Sequence, residues 1–398
     1  MKLIRIINKE AHMKKVYVDN SATSFPKAPG VSDVIKDFLD NKGCNVGRSG
    51  YADSYDVAME IFETRQIISD LFHTHDPKEV VFTPSVTYSL NMLLNGFLKK
   101  GDHVITTSME HNAVMRPLHV LSKKGIACDV VLCDRNGLLE ADDIIPFIKK
   151  ETKAVVMLHA SNVCGTIIPI EKVSEICKKY KIRLIVDAAQ TAGVLDINAS
   201  GIDALAFTGH KGLLGAQGIG GFVIKKEFAD EITPMITGGT GSLSDGFEQP
   251  GFLPDKFESG TMNIPAMIGL KKAIEYINSV GITVIREKEM MLAYEFISKI
   301  RGIKGVKLIG KDAPDTLAVV SLDFEGSDNA AVAAALDSKY GIMTRCGLHC
   351  APAAHKTLGT YPHGTVRFSF GYFNTSHEVE YIAESIKEIL NSGVNYGF

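Results

Sequence analysis

Between Val80 and Ile224 the chain alternates short, almost wholly apolar runs with amphipathic segments of about ten residues or more, a rhythm that few folds admit. Val80–Thr83, Val104–Thr107, Asp129–Cys133, Ala154–Leu158, Leu184–Val186, Ala204–Phe207 and Gly220–Ile224 read as strands. Val86–Leu98, Val114–Lys124, Leu139–Lys150 and Val173–Lys179 read as helices between them. A run such as Leu184-Ile185-Val186 has no polar face, so both sides of its strand must be covered. Strands joined through helices run parallel, because the helix carries the chain back along the sheet. The pattern predicts an α/β fold with a mostly parallel sheet flanked by helices.

The texture changes near Ile264. Helical patterns over Pro265–Ser279 and Thr283–Ile300 precede strand patterns at Val306–Ile309, Leu317–Asp323 and Val366–Phe370, and a closing helix over His377–Leu390. This predicts a smaller C-terminal α/β domain on an antiparallel sheet. The Gly-, Ser- and Pro-rich stretch Ile236–Gly260 predicts a long loop with a functional duty.

Composition narrows the function. With 43 basic and 46 acidic side chains, the chain lacks the basic excess of a general nucleic-acid binder. No run approaches the ~18 apolar residues of a membrane span. Its seven cysteines are odd in number and scattered, which fits a reduced, cytoplasmic protein in which a reactive cysteine works as a thiol. Met1 to His12 lacks the apolar core and cleavage site of a signal peptide, and Met13 stands just before the first strand pattern. We read the residues before Met13 as an extension from an alternative start.

Chemistry gathers at the ends of the apolar runs. Leu184-Ile185-Val186-Asp187 puts a carboxylate at the carboxyl edge of the sheet, where open α/β folds bind ligands. Alone, Asp187 would read as a cap on the next helix. The run Ala204–Phe207 delivers Lys211 into a turn between Gly209 and Gly212, and alone that lysine would read as a surface charge. Together they supply what pyridoxal phosphate needs: an amine to hold its aldehyde as a Schiff base and an acid to pair with its pyridinium nitrogen. Thr83-Pro84-Ser85-Val86-Thr87 enters a helix and is either a phosphate site or a plain N-cap. His111 follows the Val104–Thr107 run on the same rim.

Arg345-Cys346-Gly347-Leu348-His349-Cys350 is a glycine-containing loop before a Pro-initiated helix, suited to exposing a thiol beside an arginine and a histidine. The competing readings are a buried cysteine and a metal site of Cys346, His349, Cys350 and His355; no second ligand pair supports the latter. Arg367, in a strand pattern, has the planar fork that suits a carboxylate, whether of a substrate or of a structural ion pair.

In order along the chain, Val16–Thr23, Ser161-Asn162-Val163, Asp187–Gln190, Thr208–Lys211, Gly260-Thr261 with Asn263, and Gly347–Cys350 resemble the class V aminotransferase-like enzymes of fold type I, which use pyridoxal phosphate. Within them the chain is similar to the group II, SUF-type cysteine desulfurases and the selenocysteine lyases. The resemblance runs nearly end to end, to Phe373-Asn374-Thr375. It implies an N-terminal segment, 1–28, that joins the small domain, a large cofactor-binding domain, 29–263, and a small C-terminal domain, 264–398, carrying the Cys350 loop.

By position, the resemblance implies that Lys211 holds the cofactor and moves protons at the substrate α-carbon. Asp187 would pair with the pyridinium, Gln190 contact the ring oxygen, and His111 stack on the ring and assist proton transfer. Thr87, Thr208 and His210 would hold the phosphate, and Thr261 would reach the phosphate of a neighbouring subunit, which implies a homodimer with shared sites. Asn162, Arg345 and Arg367 would bind the substrate carboxylate, and no metal is implied. Cys350 would be the nucleophile that takes sulfur from L-cysteine as a persulfide, leaving L-alanine, with a sulfur-acceptor protein as a candidate partner.

The chain departs from the family pattern in three places. His349 stands alone before the cysteine where two histidines are usual. Gly212-Leu213-Leu214-Gly215-Ala216 follows the lysine in place of a bulky pair and Gly-Pro, and Val86-Thr87-Tyr88 replaces Thr-Thr-Glu. These changes leave the cofactor residues whole and suit a branch that does not feed iron–sulfur assembly. Alternatives on the same scaffold are a selenocysteine lyase, an aminotransferase for a small amino acid and a kynureninase-like lyase; a non-catalytic binding protein is the alternative without chemistry. Cys350 favours sulfur or selenium chemistry, since transamination needs no such thiol.

Overall fold

The computed structural model describes residues 15–46, 50–74, 76–243, 245–310 and 315–391; the extension read in Met1 to His12 lies outside them. The chain opens with β1 (Val16–Tyr17), α1 (Val31–Asp37) and α2 (Ala52–Leu71). The main sheet follows: β2 (Val80–Thr83), β3 (His103–Thr107), β4 (Ala127–Val131), β5 (Thr152–Leu158), β6 (Arg183–Asp187), β7 (Ala204–Thr208) and β8 (Gly220–Ile224), in the order β2-β8-β7-β6-β5-β3-β4. The pairs from β7 through β4 are parallel, and β8 runs antiparallel to both its neighbours. Residues 209–219 join β7 to β8, too few for a crossover helix, so the chain must return antiparallel.

Every residue of β2, β3, β7 and β8 is buried, which is why these runs carry no polar face. Successive side chains feed opposite cores. Val104, Val156 and Ile185 pack under α3 (Val86–Phe97) and α4 (Asn112–Ser122), while Ile105, Val155 and Val186 pack towards α5 (Ile170–Tyr180) and the later helices. Each such side chain contributes about 1.5–3 kcal/mol.

Two expected elements come out differently. The strand expected at Asp129–Cys133 lies two residues earlier, because Val131 pairs with Thr107 at the end of the ladder and the Cys133 N–H is taken by Ser108 Oγ. The helix expected over Leu139–Lys150 is a 3₁₀ segment, Ala141–Phe147, with Pro146 inside it. Proline has no N–H to continue an α-helical ladder.

After α6 (Lys226–Glu231), the stretch 236–260 carries no helix or strand among its described residues. The C-terminal part comprises α7 (Ile264–Val280), α8 (Ile282–Ile300), β9 (Val306–Ile309), β10 (Val319–Phe324), α9 (Asn329–Tyr340), β11 (Ile342–Met343), β12 (Arg345–Gly347), α10 (Pro352–Leu358), β13 (Thr365–Ser369) and α11 (Ser376–Asn391). Its sheet is antiparallel in the order β12-β13-β10-β9. The N-terminal β1 pairs with β11, and Val16 and Val18 share a core with Phe296, Phe368 and Ile382. Among the described residues no helix is long and apolar enough to cross a membrane.

Candidate active site

Five strands of the main sheet bring residues singled out from the sequence to one rim. β2 leads through Pro84 and Ser85 into α3 and Thr87, and β3 leads to His111, the N-cap of α4, whose Nδ1 accepts from Ala113 N at 3.0 Å. β5 leads to Asn162, β6 ends in Asp187, and β7 ends in Thr208 with His210 and Lys211 in the turn beyond. This is the carboxyl edge of the parallel strands, where strand ends leave a crevice for a ligand.

Close backbone approach aligns the two central turns. A Cβ on Gly193 would lie 2.4 Å from Gly212 O, and one on Gly212 would lie 2.5 Å from Ala192 O, so only glycines let the turn after Asp187 meet the turn after Lys211. The carbonyl just before Lys211 is pinned from the N-terminal segment. His210 O accepts from Ser24 N at 2.9 Å, Lys27 Nζ at 3.0 Å and Thr23 Oγ1 at 3.1 Å.

Burial governs the ionisation of the rim. It pushes the Asp187 carboxyl above its ordinary range, against the Ala189 N–H at 2.9 Å and the charge of Lys211. It lowers Lys211 to about 8, with Asp187 opposing and Arg367 and Arg345 reinforcing. His111 falls to about 4, through burial first and then through Lys211, Arg345, Arg116 and Arg367. His210 also falls to about 4, through burial, Lys211 and Lys27. Both imidazoles are therefore neutral near pH 7.

The C-terminal part contributes two facing cations and a thiol. Arg345 on β12 stands directly opposite Arg367 on β13, and like charges across a ladder repel unless anions answer them. Asp19 answers Arg367 at 2.5 Å, and Arg367 also donates to Asn162 O at 2.9 Å. Arg345 reaches to 3.8 Å from the Cys350 sulfur. Cys350 is exposed and His349 buried, with φ of 59° and 48°, a left-handed backbone that side chains resist by ~1–2 kcal/mol per residue. Outside contacts hold this turn in place. Asn162 Nδ2 donates to His349 O at 2.8 Å, Asn112 N donates to Cys350 O at 2.8 Å, and His349 Nε2 bonds Thr365 Oγ1 at 2.9 Å. Strain over-determined in this way marks functional turns.

The residues do not all line one cavity. Lys211 and Gln190 line a cavity of about 40 Å³ beside the N-terminal segment, whereas Thr87, His111 and Cys350 line an open cleft of about 380 Å³. Gln190 spends its amide on Ser21 O at 3.1 Å. Thr261 is exposed and lines neither space; it borders a third cavity with Thr83, Pro84 and Tyr88. Sequence reasoning missed Asp19, Lys27, Glu110 and Arg116. The nearest signal was the Val16–Thr23 run, which contains Asp19 without revealing its partner 348 residues away.

The Aminotransferase class-V family pattern matches residues 16–382. The chain belongs to the class-V aminotransferase family. Among curated class-V relatives, a "Probable cysteine desulfurase" of Methanothermobacter thermautotrophicus is 31% identical over 385 residues, 95% of each chain. A protein of the same name from Pyrococcus abyssi is 33% identical over 393 residues, 95% of this chain and 94% of the relative. The apo structure of a cysteine desulfurase from Thermococcus onnurineus superposes with a TM-score of 0.89 at 33% identity, covering 95% of both chains. The class-V fold expected from the sequence is thus the one present, a fold type I enzyme with a mostly parallel sheet flanked by helices.

Proposed function

We propose that this class-V enzyme is a cysteine desulfurase that binds pyridoxal phosphate and takes the sulfur of L-cysteine onto Cys350. The observation that carries the reading is the exposed Cys350, held in a strained turn beside Arg345 and tied by hydrogen bonds to the rim loops of His111 and Asn162. A transaminase has no use for that thiol. The names of the relatives support the same activity.

Orphaned buried atoms test the fit of the cofactor. Thr208 Oγ1, His210 Nδ1, Asn162 Oδ1 and Arg367 Nε are buried without hydrogen-bond partners, each leaving ~1–3 kcal/mol to be recovered from a ligand. Thr208 and His210 flank Lys211 and suit a phosphate, together with Thr87 in the first turn of α3. Asp187, buried on the next strand, suits a cationic ring nitrogen. When bound, the cofactor supplies an electron sink that loosens the α-proton and the Cβ–S bond of the substrate.

The protein's own groups do the rest. Arg345, Arg367 and Asn162 orient the substrate carboxylate, and neutral His111 would lie against the cofactor. Lys211, with its lowered proton affinity, takes and returns the proton at the α-carbon. The Cys350 thiolate attacks the substrate sulfur, so an S–S bond forms as the Cβ–S bond breaks. The carbon skeleton keeps that electron pair, gains a proton and leaves as L-alanine. Thr261 reaches the site of a second copy in a homodimer. A reducing compartment such as the cytoplasm keeps Cys350 a thiol, and all seven cysteines are free here.

The test is a single turnover with L-cysteine, read by alanine release and by the mass of the Cys350 peptide, with selenocysteine in parallel. The wild type should gain one sulfur on Cys350 for each alanine, and Cys350→Ala should form no persulfide while keeping its cofactor absorbance. Undiminished sulfur release by Cys350→Ala would remove the assignment. Faster turnover of selenocysteine with no persulfide would make the protein a selenocysteine lyase.

A further inference from the structure

The cleft that ends at Cys350 is walled by α3 and α4. Thr87, Asn91 and Asn95 line it from α3, and Asn112, Arg116 and Val120 from α4, each set at four-residue spacing along one helix face. No lining side chain is acidic, and Arg116 is exposed with no carboxylate partner among the described residues. Its charge reaches His111, as do those of Lys211, Arg345 and Arg367. Those three have their work in the reading above: Lys211 holds the cofactor, Asp19 answers Arg367, and Arg345 and Arg367 take the substrate carboxylate. Arg116 is the cation left over, exposed in the same cleft as Cys350.

A persulfide on Cys350 must be unloaded before the next turnover. We propose that this cleft is the acceptor site, and that the acceptor is a small thiol bearing a carboxylate, which Arg116 holds with its sulfur turned towards Cys350; the inference rests on the desulfurase reading. The cleft's volume of about 380 Å³ includes the space beside Thr87 and His111 that the reading above gives to the cofactor, and the acceptor takes the remainder, between Asn91, Asn95, Asn112 and Arg116. The acceptor thiolate attacks the outer sulfur. A new S–S bond forms to the acceptor, the bond to Cys350 Sγ breaks, and the electron pair leaves on Sγ, so the enzyme regains its thiolate and no oxidant is needed.

The holoenzyme, charged once with L-cysteine and freed of excess, is unloaded with mercaptopropionate, mercaptoethanol or cysteamine, which carry negative, no and positive charge. Rates are compared per thiolate present. The wild type should discharge about tenfold faster with mercaptopropionate than with cysteamine, the effect of one charge-assisted hydrogen-bonded contact. Arg116→Met should level the three thiols and Arg116→Glu should reverse their order. Each protein is judged by its own ratios, so slower charging of a variant does not disturb the comparison. Ratios unchanged in both variants would overturn the proposal. So would a persulfide that none of the three removes, which would point to a protein acceptor. Failure of the wild type to form alanine at all would bring down the desulfurase reading and this inference with it, and the missing alanine tells that outcome from the others.

Discussion

At the scale of single residues, burial sets the chemistry more than neighbouring charge does. Lys211 is lowered to about 8 chiefly by desolvation, so its amine is neutral and nucleophilic above that pH. Adding pyridoxal phosphate to the apo-protein should give a chromophore whose rate of appearance rises with pH and levels off above about 8. A rate still climbing towards the ordinary lysine range would contradict the buried amine. Glu110 is a second case. It is fully buried beside His111, accepts from Thr107 Oγ1 at 2.6 Å and from Leu158 N at 3.0 Å, and is pushed by burial from 4.5 to about 8. Unfolded, it releases its proton near 4.5; folded, it keeps it until about 8, so the folded state loses stability as pH rises through that window. Glu110→Gln should match the wild-type Tm below about pH 4.5 and exceed it by a few degrees above about pH 8. A Tm difference that does not change with pH would show that Glu110 is not protonated in the fold.

Among elements, one ion pair ties together parts far apart in sequence. Arg65 on α2 holds both oxygens of Glu258, at 2.8 and 2.5 Å, and donates to Val80 O, while Glu258 accepts from Phe82 N at 2.7 Å. The 236–260 stretch is thereby fastened to β2, the strand that leads into α3 and Thr87. Both side chains are nearly buried, so losing one partner strands the other charge in the interior. Glu258→Gln should lower the unfolding free energy by about 3–5 kcal/mol in denaturant titrations. It should also weaken cofactor retention, because Thr261 lies just beyond the clamp. The pair could not be read from the sequence: Arg65 sits in a helix with little amphipathic pattern, and Glu258 in a loop without one.

Viewed as a whole molecule, the protein is a sheet edge closed by its C-terminal part. Arg367 comes from β13 and Cys350 from the turn beyond β12, and Asn162, Asn112 and Asp19 fasten them over the rim. Thr261 takes no part in that closure within one chain, in keeping with the proposed role in a second copy. Sedimentation should show a homodimer, and Thr261→Ala should loosen the cofactor without dissociating it. A monomer with undiminished cofactor affinity would count against shared sites.

The strands and their parallel sense were legible because a buried strand must be apolar on both faces, and the gathering of Asp187, Lys211 and His111 at one edge because each follows such a run. The same periodicity misplaced β4 and turned the 3₁₀ segment at Ala141–Phe147 into a helix, since apolar spacing is blind to a diverted N–H or to Pro146. What only the tertiary structure decided is which charges meet. Asp19 with Arg367, Arg65 with Glu258 and Lys27 with His210 join residues more than a hundred positions apart, and Coulomb and hydrogen-bond energies depend on distance in space, which no local pattern encodes.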